Sequence, residues 1–310
     1  MRRLNAVACL ALALWPLLGA RAAQSAATVT HVPRKAGAYT LSLSSGGMVR
    51  TAEVVVPPAI STGKRLPLLI GLHGGGGNGP KFASGTGLGA LATTDGFIGV
   101  FPNGVDGHWN DGRSTSVLDT SVDDFAFLRA LVTRLEKDLP VDASHIDATG
   151  ISNGAMMSAD IACRMSDVVT AVALVAGSLP SDDQATCSPS PISMMLIDGT
   201  ADPLVPYNGG TVGKERGSVI GAEQTAEYVA RIDGCSTTSP FISLPNRNLL
   251  DGSTVSQRAW TDCMSGSRVT LLRVNGGGHN WPSTTGPYRS LGHVNHDIDA
   301  STVIAAFFGL

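Results

Sequence analysis

Residues 144–165 read SHIDATGISNGAMMSADIACRM, and the pentapeptide Gly150-Ile151-Ser152-Asn153-Gly154 lies at their centre. The run before it, 144–149, predicts a strand, and 153–165 predicts a helix. A serine on a tight strand-to-helix turn between glycines is a nucleophile elbow. The N-terminal N–H groups of the helix would face the serine oxygen and stabilise a negatively charged tetrahedral intermediate. Because G-x-S-x-G also occurs in ordinary turns, the assignment depends on the rest of the chain.

Length and composition narrow the class of protein. The 310 residues fit one large α/β domain or two small ones. Charged residues make up 15% of the chain, the formal charge is −3, and the basic residues form no cluster. This balance argues against a disordered chain and against a nucleic-acid-binding protein. No obligate protein partner is evident from the sequence.

The N-terminus has the pattern of a secretory signal. Arg2-Arg3 precede an apolar run over 6–18, and Ala20-Arg21-Ala22 provides an A-x-A cleavage pattern. The run contains a proline and is shorter than the roughly 20 residues that span a bilayer, which disfavours a membrane anchor. We therefore predict a signal peptide over 1–22 and secretion, either to the periplasm or outside the cell.

Four cysteines follow this leader: Cys163, Cys187, Cys235 and Cys263. An even number in an exported chain predicts two disulfides, and four cysteines allow three pairings. Cys163–Cys187 and Cys235–Cys263 are favoured because each closes a local loop. Each would stabilise the fold by about 3 kcal/mol. The spacing of the cysteines does not match a zinc site.

Short apolar strands alternate with amphipathic helices along the chain. Residues 38–43 and 48–56 predict an antiparallel hairpin. The later predicted strands are 66–72, 97–101, 146–149, 169–175, 192–197 and 269–274, and the later predicted helices are 222–232 and 298–308. This alternation predicts one α/β domain over 38–310, after an extension over 23–37, with a mostly parallel central sheet and helices on both faces. Functional residues are then expected at the carboxyl ends of the strands.

Two segments between these elements have their own signals. Ser121-Val122-Asp123-Asp124 has the pattern of a capping box. The helix predicted after it has an apolar face of Phe125, Leu128, Val132, Leu135 and Leu139. Asp123 and Asp124 are interpreted as a helix cap and a structural hydrogen-bond partner. Residues 207–221 are loop-like and are interpreted as a small insertion.

Two further motifs complete a catalytic triad. Asp202 lies in Gly-Thr-Ala-Asp-Pro just after one predicted strand, and His279 lies in Gly-Gly-Gly-His-Asn-Trp-Pro just after another. The chain order serine, acid, histidine is that of α/β-hydrolases. His279 would accept the proton of Ser152, and Asp202 would orient the imidazole and stabilise its charged form.

Other acids and histidines remain as alternatives. Asp198 is the second candidate acid because it also follows a strand. His293 and His296 are further candidate bases, and their spacing of three is also compatible with a metal site. No third ligand supports such a site, so no metal is predicted.

The oxyanion hole and the substrate pocket are expected beside the serine. His73-Gly74-Gly75-Gly76-Gly77 follows a buried strand, and it lacks the Gly-Lys-Ser/Thr ending of a phosphate-binding loop. We predict that the N–H groups of Asn153 and Gly75, with Gly74 as the alternative to Gly75, bind the oxyanion. The predicted pocket walls are His73, Trp109 and Trp281, since flat rings can hold an acyl group.

With these residues assigned, the chain resembles a known group of enzymes. The motifs that carry the resemblance are Leu72-His73-Gly74, Trp109-Asn110, Val122-Asp123-Asp124, the serine pentapeptide, Asp198-Gly199-Thr200-Ala201-Asp202 and Gly278-His279-Asn280-Trp281-Pro282. Together they resemble secreted esterases of the polyhydroxybutyrate depolymerase and feruloyl esterase group, from about residue 39 to the C-terminus. The resemblance implies an α/β-hydrolase fold, no cofactor and the triad of Ser152, Asp202 and His279, and the paired cysteines are also similar to that group.

Two departures from the group affect the expected substrate. Asp198 stands where many relatives have histidine. No polymer-binding domain or linker follows the catalytic region, which favours smaller esters over a crystalline polymer. We expect a serine carboxylesterase that acts on feruloyl or related acyl esters of plant polysaccharide, with hydroxybutyrate oligomers or similar polyesters as the alternative. A non-catalytic binding protein and a serine peptidase on the same fold are the competing interpretations.

Overall fold

A sheet of twelve strands forms the centre of the part of the chain that the computed structural model describes, residues 27–115, 118–213, 215–283 and 288–310. The leader predicted over 1–22 lies outside the described residues. The strands, in chain order, are β1 (Ala27–Val29), β2 (Gly37–Ser45), β3 (Met48–Val56), β4 (Leu66–Leu72), β5 (Ile98–Pro102), β6 (Val141–Ile151), β7 (Ala171–Val175), β8 (Ser193–Gly199), β9 (Gly209–Thr211), β10 (Ser218–Ile220), β11 (Thr237–Thr238), β12 (Ile242–Ser243), β13 (Thr254–Thr261), β14 (Val269–Asn275), β15 (His279–Trp281) and β16 (Tyr288–Leu291). The helices are α1 (Gly79–Thr86), α2 (Leu88–Asp95), α3 (Asp124–Asp138), α4 (Asn153–Arg164), α5 (Ala222–Ile232) and α6 (Ala300–Phe308).

The strand order places a parallel block at the middle of the sheet. The order is β1-β2-β3-β5-β4-β6-β7-β8-β14-β13-β11, with β12 paired to β13. Strands β5, β4, β6, β7, β8 and β14 are parallel neighbours. The hairpin β2–β3 and strand β13 join this block antiparallel. The mostly parallel sheet predicted from the sequence is therefore confirmed, and its central strands end at one common edge.

Burial explains why the central strands have uninterrupted apolar sequences. Every residue of β5 (IGVFP) and of β7 (AVALV) is buried. In contrast, β2 at the antiparallel side has mostly exposed or half-buried positions. Strands covered on both faces need apolar residues at every position, whereas a half-exposed strand needs them only on one face.

Helices cover both faces of the sheet. On one face Leu128 of α3, Ala159 of α4 and Val229 of α5 belong to a single buried apolar cluster. On the other face Phe82 of α1, Ala92 of α2 and Ile304 of α6 belong to a second cluster. The described residues thus form one α/β domain with helices on both faces, as the sequence predicts.

Local details differ from the sequence prediction at α3. Asp123, not Ser121, caps the helix by accepting a hydrogen bond from the Ala126 N–H at 2.8 Å. The Ser121 hydroxyl instead donates to Asp119. Phe125 is only half-buried, and the core-facing side of the helix is completed by residues that the predicted face omitted, Phe127 and Leu131. The interpretation of Asp123 as a helix cap is correct.

Two other segments also depart from the prediction. Strand β6 begins at Val141, before both of the starts predicted for it, 144 and 146, because its polar first residues find partners. Asp142 accepts from the N–H and hydroxyl of Ser144, and His145 hydrogen-bonds the Phe308 carbonyl. The loop-like segment 207–221 contains the short antiparallel pair β9–β10.

Two disulfides link neighbouring elements. Cys163 at the end of α4 is bonded to Cys187, and Cys235 after α5 is bonded to Cys263 after β13. This is the pairing that the sequence favoured. None of the helices in the described part of the chain combines the length and apolar character that crossing a bilayer requires.

Candidate active site

Ser152 lies at the junction of β6 and α4 in a strained backbone conformation. Its φ and ψ are 58° and −120°, a region that non-glycine residues rarely occupy. The Ser152 N–H donates to the Val175 carbonyl of the neighbouring strand at 2.9 Å. This bond fixes the turn against the sheet and leaves the side chain at the edge where the parallel strands end.

The glycines of the pentapeptide are required by close packing. A Cβ on Gly150 would lie 2.3 Å from the carbonyl oxygen of Gly154. A Cβ on Gly154 would lie 2.2 Å from the carbonyl oxygen of Leu72. Both contacts are with backbone atoms, so only glycine lets the turn approach β4 this closely.

His279 and Asp202 form a short polar contact at this edge. The imidazole Nδ1 lies 2.7 Å from Asp202 Oδ2, and both side chains are almost fully buried. Asp202 Oδ1 accepts hydrogen bonds from the N–H groups of Leu204 and Val205 at 2.7 and 2.8 Å. The two N–H groups and the imidazole hold this carboxylate in one orientation. Because a carboxylate oxygen accepts hydrogen bonds, the Nδ1 atom of His279 carries the proton. The other ring nitrogen, Nε2, is then the one that can accept a proton.

Asp198, the second candidate acid, does not contact His279. It lies in β8, where its Oδ1 accepts from the Gly177 N–H at 2.8 Å. Its Oδ2 has no hydrogen-bond partner among the described residues. Burial, with a contribution from the nearby Asp202 carboxylate, raises the pKa of Asp198 well above its ordinary value. Asp198 is thus a buried carboxyl near Asp202, in a site that favours its neutral form.

The other candidate bases have structural contacts. The His293 carbonyl accepts hydrogen bonds from the Gly278 N–H and the Asn280 side chain, so this residue supports the loop around His279. The His296 ring hydrogen-bonds the Ser283 carbonyl. In the part of the chain that the structure describes, no group of three or more potential ligands is arranged to hold a metal ion.

Ser152 and His279 line the same cavity, which has a volume of about 650 Å³. The loop after β4 contributes Gly74 and Gly75, and the first residue of α4 contributes Asn153. No hydrogen bond joins the Ser152 hydroxyl to the imidazole among the described residues. The cavity thus holds a candidate nucleophile, a base paired to an acid, and backbone groups of two loops.

Asn153 is held rigidly beside the serine. Its side-chain oxygen accepts from the Trp109 N–H at 2.9 Å, and its amide nitrogen donates to the Trp109 carbonyl at 2.9 Å and to Asp111 at 2.6 Å. As the first residue of α4, its own backbone N–H has no acceptor within the helix. Asn153 and the loop residues Gly74 and Gly75 line the cavity beside Ser152.

The prediction of the pocket walls is wrong. His73, Trp109 and Trp281 are all at most 1% exposed, and none of them lines the cavity. The Trp109 indole donates to the His73 carbonyl, and the Trp281 indole donates to the Ser301 hydroxyl. Polar ring atoms with internal partners allow these aromatic residues to pack in the core. These residues pack in the core next to the site and do not line its cavity.

The actual walls combine aliphatic and cationic side chains that the sequence analysis did not identify. The aliphatic residues of the walls are Leu118, Ile151, Leu204, Val212 and Leu291. The polar wall residues are His108, Arg113 and Arg216. Arg113 is buried, and its guanidinium binds Asp111 through Nε and Nη2. The Asp111-x-Arg113 spacing was the available signal, but a pair separated by two residues does not indicate which cavity it borders.

Comparison with known proteins finds relatives by sequence and by fold. The family described as "Esterase PHB depolymerase" matches residues 51–227. The chain is 34% identical to "Putative esterase NocK" of Nocardia uniformis subsp. tsuyamanensis over 242 residues, 75% of this chain and 70% of that protein. It is 30% identical to feruloyl esterase B of Piromyces equi over 236 residues, which span 74% of this chain but only 42% of that relative. Among solved structures, acetyl xylan esterase from Aspergillus awamori matches with a TM-score of 0.55 at 16% identity, covering 84% of this chain and 94% of that one, which supports the fold alone.

Proposed function

Because this chain belongs to the PHB depolymerase esterase family, we propose that it hydrolyses carboxylic esters through an acyl-enzyme formed on Ser152. The observation that carries this proposal is the 2.7 Å contact between His279 and Asp202 in a cavity that Ser152 also lines. An imidazole oriented by a buried carboxylate is the base that a serine nucleophile needs.

In the proposed reaction the Nε2 atom of His279 removes the Ser152 proton as the oxygen attacks the ester carbonyl. The negative charge on the carbonyl oxygen is bound by the N–H groups of Asn153 and Gly75. His279 then delivers the proton to the departing alcohol, and Asp202 stabilises the imidazolium in between. Water repeats the sequence on the acyl-enzyme and releases the acid, so the enzyme returns to its starting state without a cofactor.

The proposed substrates are feruloyl or related acyl esters of plant polysaccharide. This preference is supported by the relative named feruloyl esterase B, which matches three quarters of this chain. A cavity of about 650 Å³ with several aliphatic walls is large enough for an aromatic acyl group. The second candidate, an oligo(hydroxybutyrate) or similar aliphatic polyester, is supported by the family description itself.

We propose that the chain is exported, with a signal peptide over 1–22, an extension over 23–37 whose strand β1 joins the central sheet, and the catalytic domain over 38–310. The two disulfides support this proposal, because such bonds persist in oxidising compartments. N-terminal sequencing of the exported protein from an expression host tests it, and a mature chain that begins at Met1 contradicts it.

The test of the activity uses Ser152→Ala beside the unaltered enzyme. We expect kcat to fall on the order of 10⁴-fold or more while the melting temperature changes little. Rates on methyl ferulate, acetylated xylan and hydroxybutyrate oligomers, measured side by side, identify the substrate class. A fluorophosphonate probe should label the unaltered protein only. Turnover by Ser152→Ala at the original rate would contradict the nucleophile, and absence of labelling in the unaltered protein would favour a non-catalytic binding protein.

A further inference from the structure

The cavity that contains Ser152 also has an arginine whose charge is not neutralised by any described residue. Arg216 lines this cavity. Among the described residues, its guanidinium makes no hydrogen bond and no ion pair, and its backbone alone is bonded. The neighbouring Arg113 is different, because Asp111 binds its guanidinium through two nitrogen atoms. One cationic group at the cavity wall is therefore available to a ligand.

Hydrogen bonds hold the backbone around Arg216. The Arg113 Nη1 atom donates to the Arg216 carbonyl at 2.7 Å. The Arg216 N–H donates to the Val212 carbonyl at 3.0 Å, and the Val212 N–H donates to the Gly217 carbonyl at 2.9 Å. Arg113 itself is only 4% exposed. These contacts hold the backbone of Arg216 beside the cavity, which reduces the backbone ordering that binding requires.

The charge around Arg216 favours an anion. The ionisable residues that line the cavity within the described part of the chain are His108, Arg113, Arg216 and His279, and no aspartate or glutamate lines it there. Arg216 is exposed to solvent, so a bound anion can reach its guanidinium directly and the interaction is screened by salt. The chain as a whole has a formal charge of −3, so the cationic character is local to the site.

We propose that Arg216 forms a carboxylate-binding subsite, and that the preferred substrates are esters that carry a free carboxylate on the same molecule. This inference rests on the proposed function, because it assumes that Ser152 attacks an ester in this cavity. A guanidinium binds a carboxylate with two parallel hydrogen bonds, which would orient the ester carbonyl toward Ser152. The carboxylate can belong to the alcohol part, as in a hydroxy-acid oligomer, or to the acyl part, as in a half-ester of a dicarboxylic acid.

The test compares each anionic ester with its carboxamide, which has nearly the same shape and no charge. The first pair is 3-acetoxybutanoate and 3-acetoxybutanamide, in which the charge lies on the alcohol part. The second pair is monomethyl glutarate and its methyl ester amide, in which the charge lies on the acyl part. For at least one pair we expect kcat/KM of the unaltered enzyme to favour the acid by about tenfold. Most of the difference should be in KM, because the contact is the same in the ground and transition states.

Substitution of the arginine then assigns the preference to this residue. In Arg216→Gln the acid-to-amide ratio should fall close to one, and Arg216→Lys should keep part of it because the charge remains. Arg247→Gln is the matched control. Arg247 is exposed, does not line the cavity and has no side-chain partner among the described residues, so its removal should leave the ratio unchanged. The preference of the unaltered enzyme should also weaken as the salt concentration rises.

The outcomes separate this inference from the proposed function. If the unaltered enzyme hydrolyses acids and amides at equal rates, or if Arg216→Gln keeps the full ratio, the subsite is refuted while the esterase proposal stands. If Ser152→Ala hydrolyses these esters as fast as the unaltered enzyme, the proposed function itself is refuted. The pair that shows the preference identifies which part of the substrate carries the carboxylate.

Discussion

Replacement of Asp202 by asparagine is the most informative change at the candidate site. Asp202 Oδ1 accepts two backbone N–H groups, those of Leu204 and Val205, and Oδ2 faces His279 Nδ1 at 2.7 Å. In Asp202→Asn the amide oxygen must face the two backbone N–H groups. The NH₂ group cannot take this position, because it is a donor and would face two other donors. The NH₂ group therefore faces His279 and donates to Nδ1. The imidazole proton moves to Nε2, and the ring can no longer accept the Ser152 proton.

The size of the effect follows from the lost charge. A carboxylate and an imidazolium separated by about 4 Å between charge centres interact by about 4 kcal/mol at an effective dielectric constant of 20. This energy stabilises the transition state, in which the imidazolium forms, and its loss corresponds to a decrease in kcat on the order of 10³-fold. The unfavourable tautomer adds to this decrease. Folding should be affected little, since the two backbone donors keep an acceptor.

The assay is the hydrolysis of p-nitrophenyl acetate under saturating conditions, with the melting temperature measured on the same samples. Asp198→Asn is the matched control, because Asp198 is also buried at the end of β8 and does not contact His279. We expect this control to change kcat by less than about tenfold. A kcat for Asp202→Asn close to that of the unaltered enzyme, or equal losses in the two variants, would refute the assignment of Asp202 as the acid.

Three further predictions concern stability. Gly154→Ala should unfold the protein or lower its stability by more than about 3 kcal/mol, because the new Cβ would overlap a backbone carbonyl of β4. The control Gly89→Ala in α2 should be tolerated, because its Cβ would meet only contacts of 3.4 Å or more. Thermal melts of both variants test this difference. Burial raises the pKa of Asp160 to about 7, so the folded state binds a proton that the unfolded state has lost above about pH 4. The free energy of unfolding should therefore fall as the pH rises from about 4 to about 7, and denaturant titrations of Asp160→Asn should show a smaller fall over this window than the unaltered protein. The double variant Cys235→Ser/Cys263→Ser should lose about 3 kcal/mol in urea unfolding, and an unchanged midpoint would show that this disulfide does not restrict the unfolded chain.

The sheet and the positions of the catalytic candidates could be predicted because each has a local signal. Parallel strands covered on both faces need continuous apolar runs, and such runs are visible in the sequence without any knowledge of their partners. Ser152, Asp202 and His279 each follow such a run directly or within a few residues. Since the parallel strands β6, β8 and β14 end at one edge, residues that are distant in sequence meet there. The contact between His279 and Asp202, separated by 77 residues, follows from this rule.

The lining of the cavity could not be predicted because it depends on contacts without a local pattern. An aromatic residue beside a catalytic motif can face either the cavity or the core. Trp109 and Trp281 face the core because their indole N–H groups find the His73 carbonyl and the Ser301 hydroxyl there. The Arg113 side chain and the Arg216 carbonyl meet across 103 residues of sequence, and neither segment has a periodicity that indicates the other.

The same contacts connect the proposed oxyanion donor to the proposed substrate subsite. The buried Asp111 carboxylate accepts from the Asn153 amide at 2.6 Å and binds the Arg113 guanidinium, which in turn holds the Arg216 carbonyl. Asn153 and, through Arg113, the loop at Arg216 thus share one carboxylate among their contacts. A shift of this loop on substrate binding would act through Arg113 and Asp111 on the position of Asn153. Substrate preference and the stabilisation of the oxyanion are therefore expected to change together when Asp111 is altered, because its carboxylate contacts both Asn153 and Arg113.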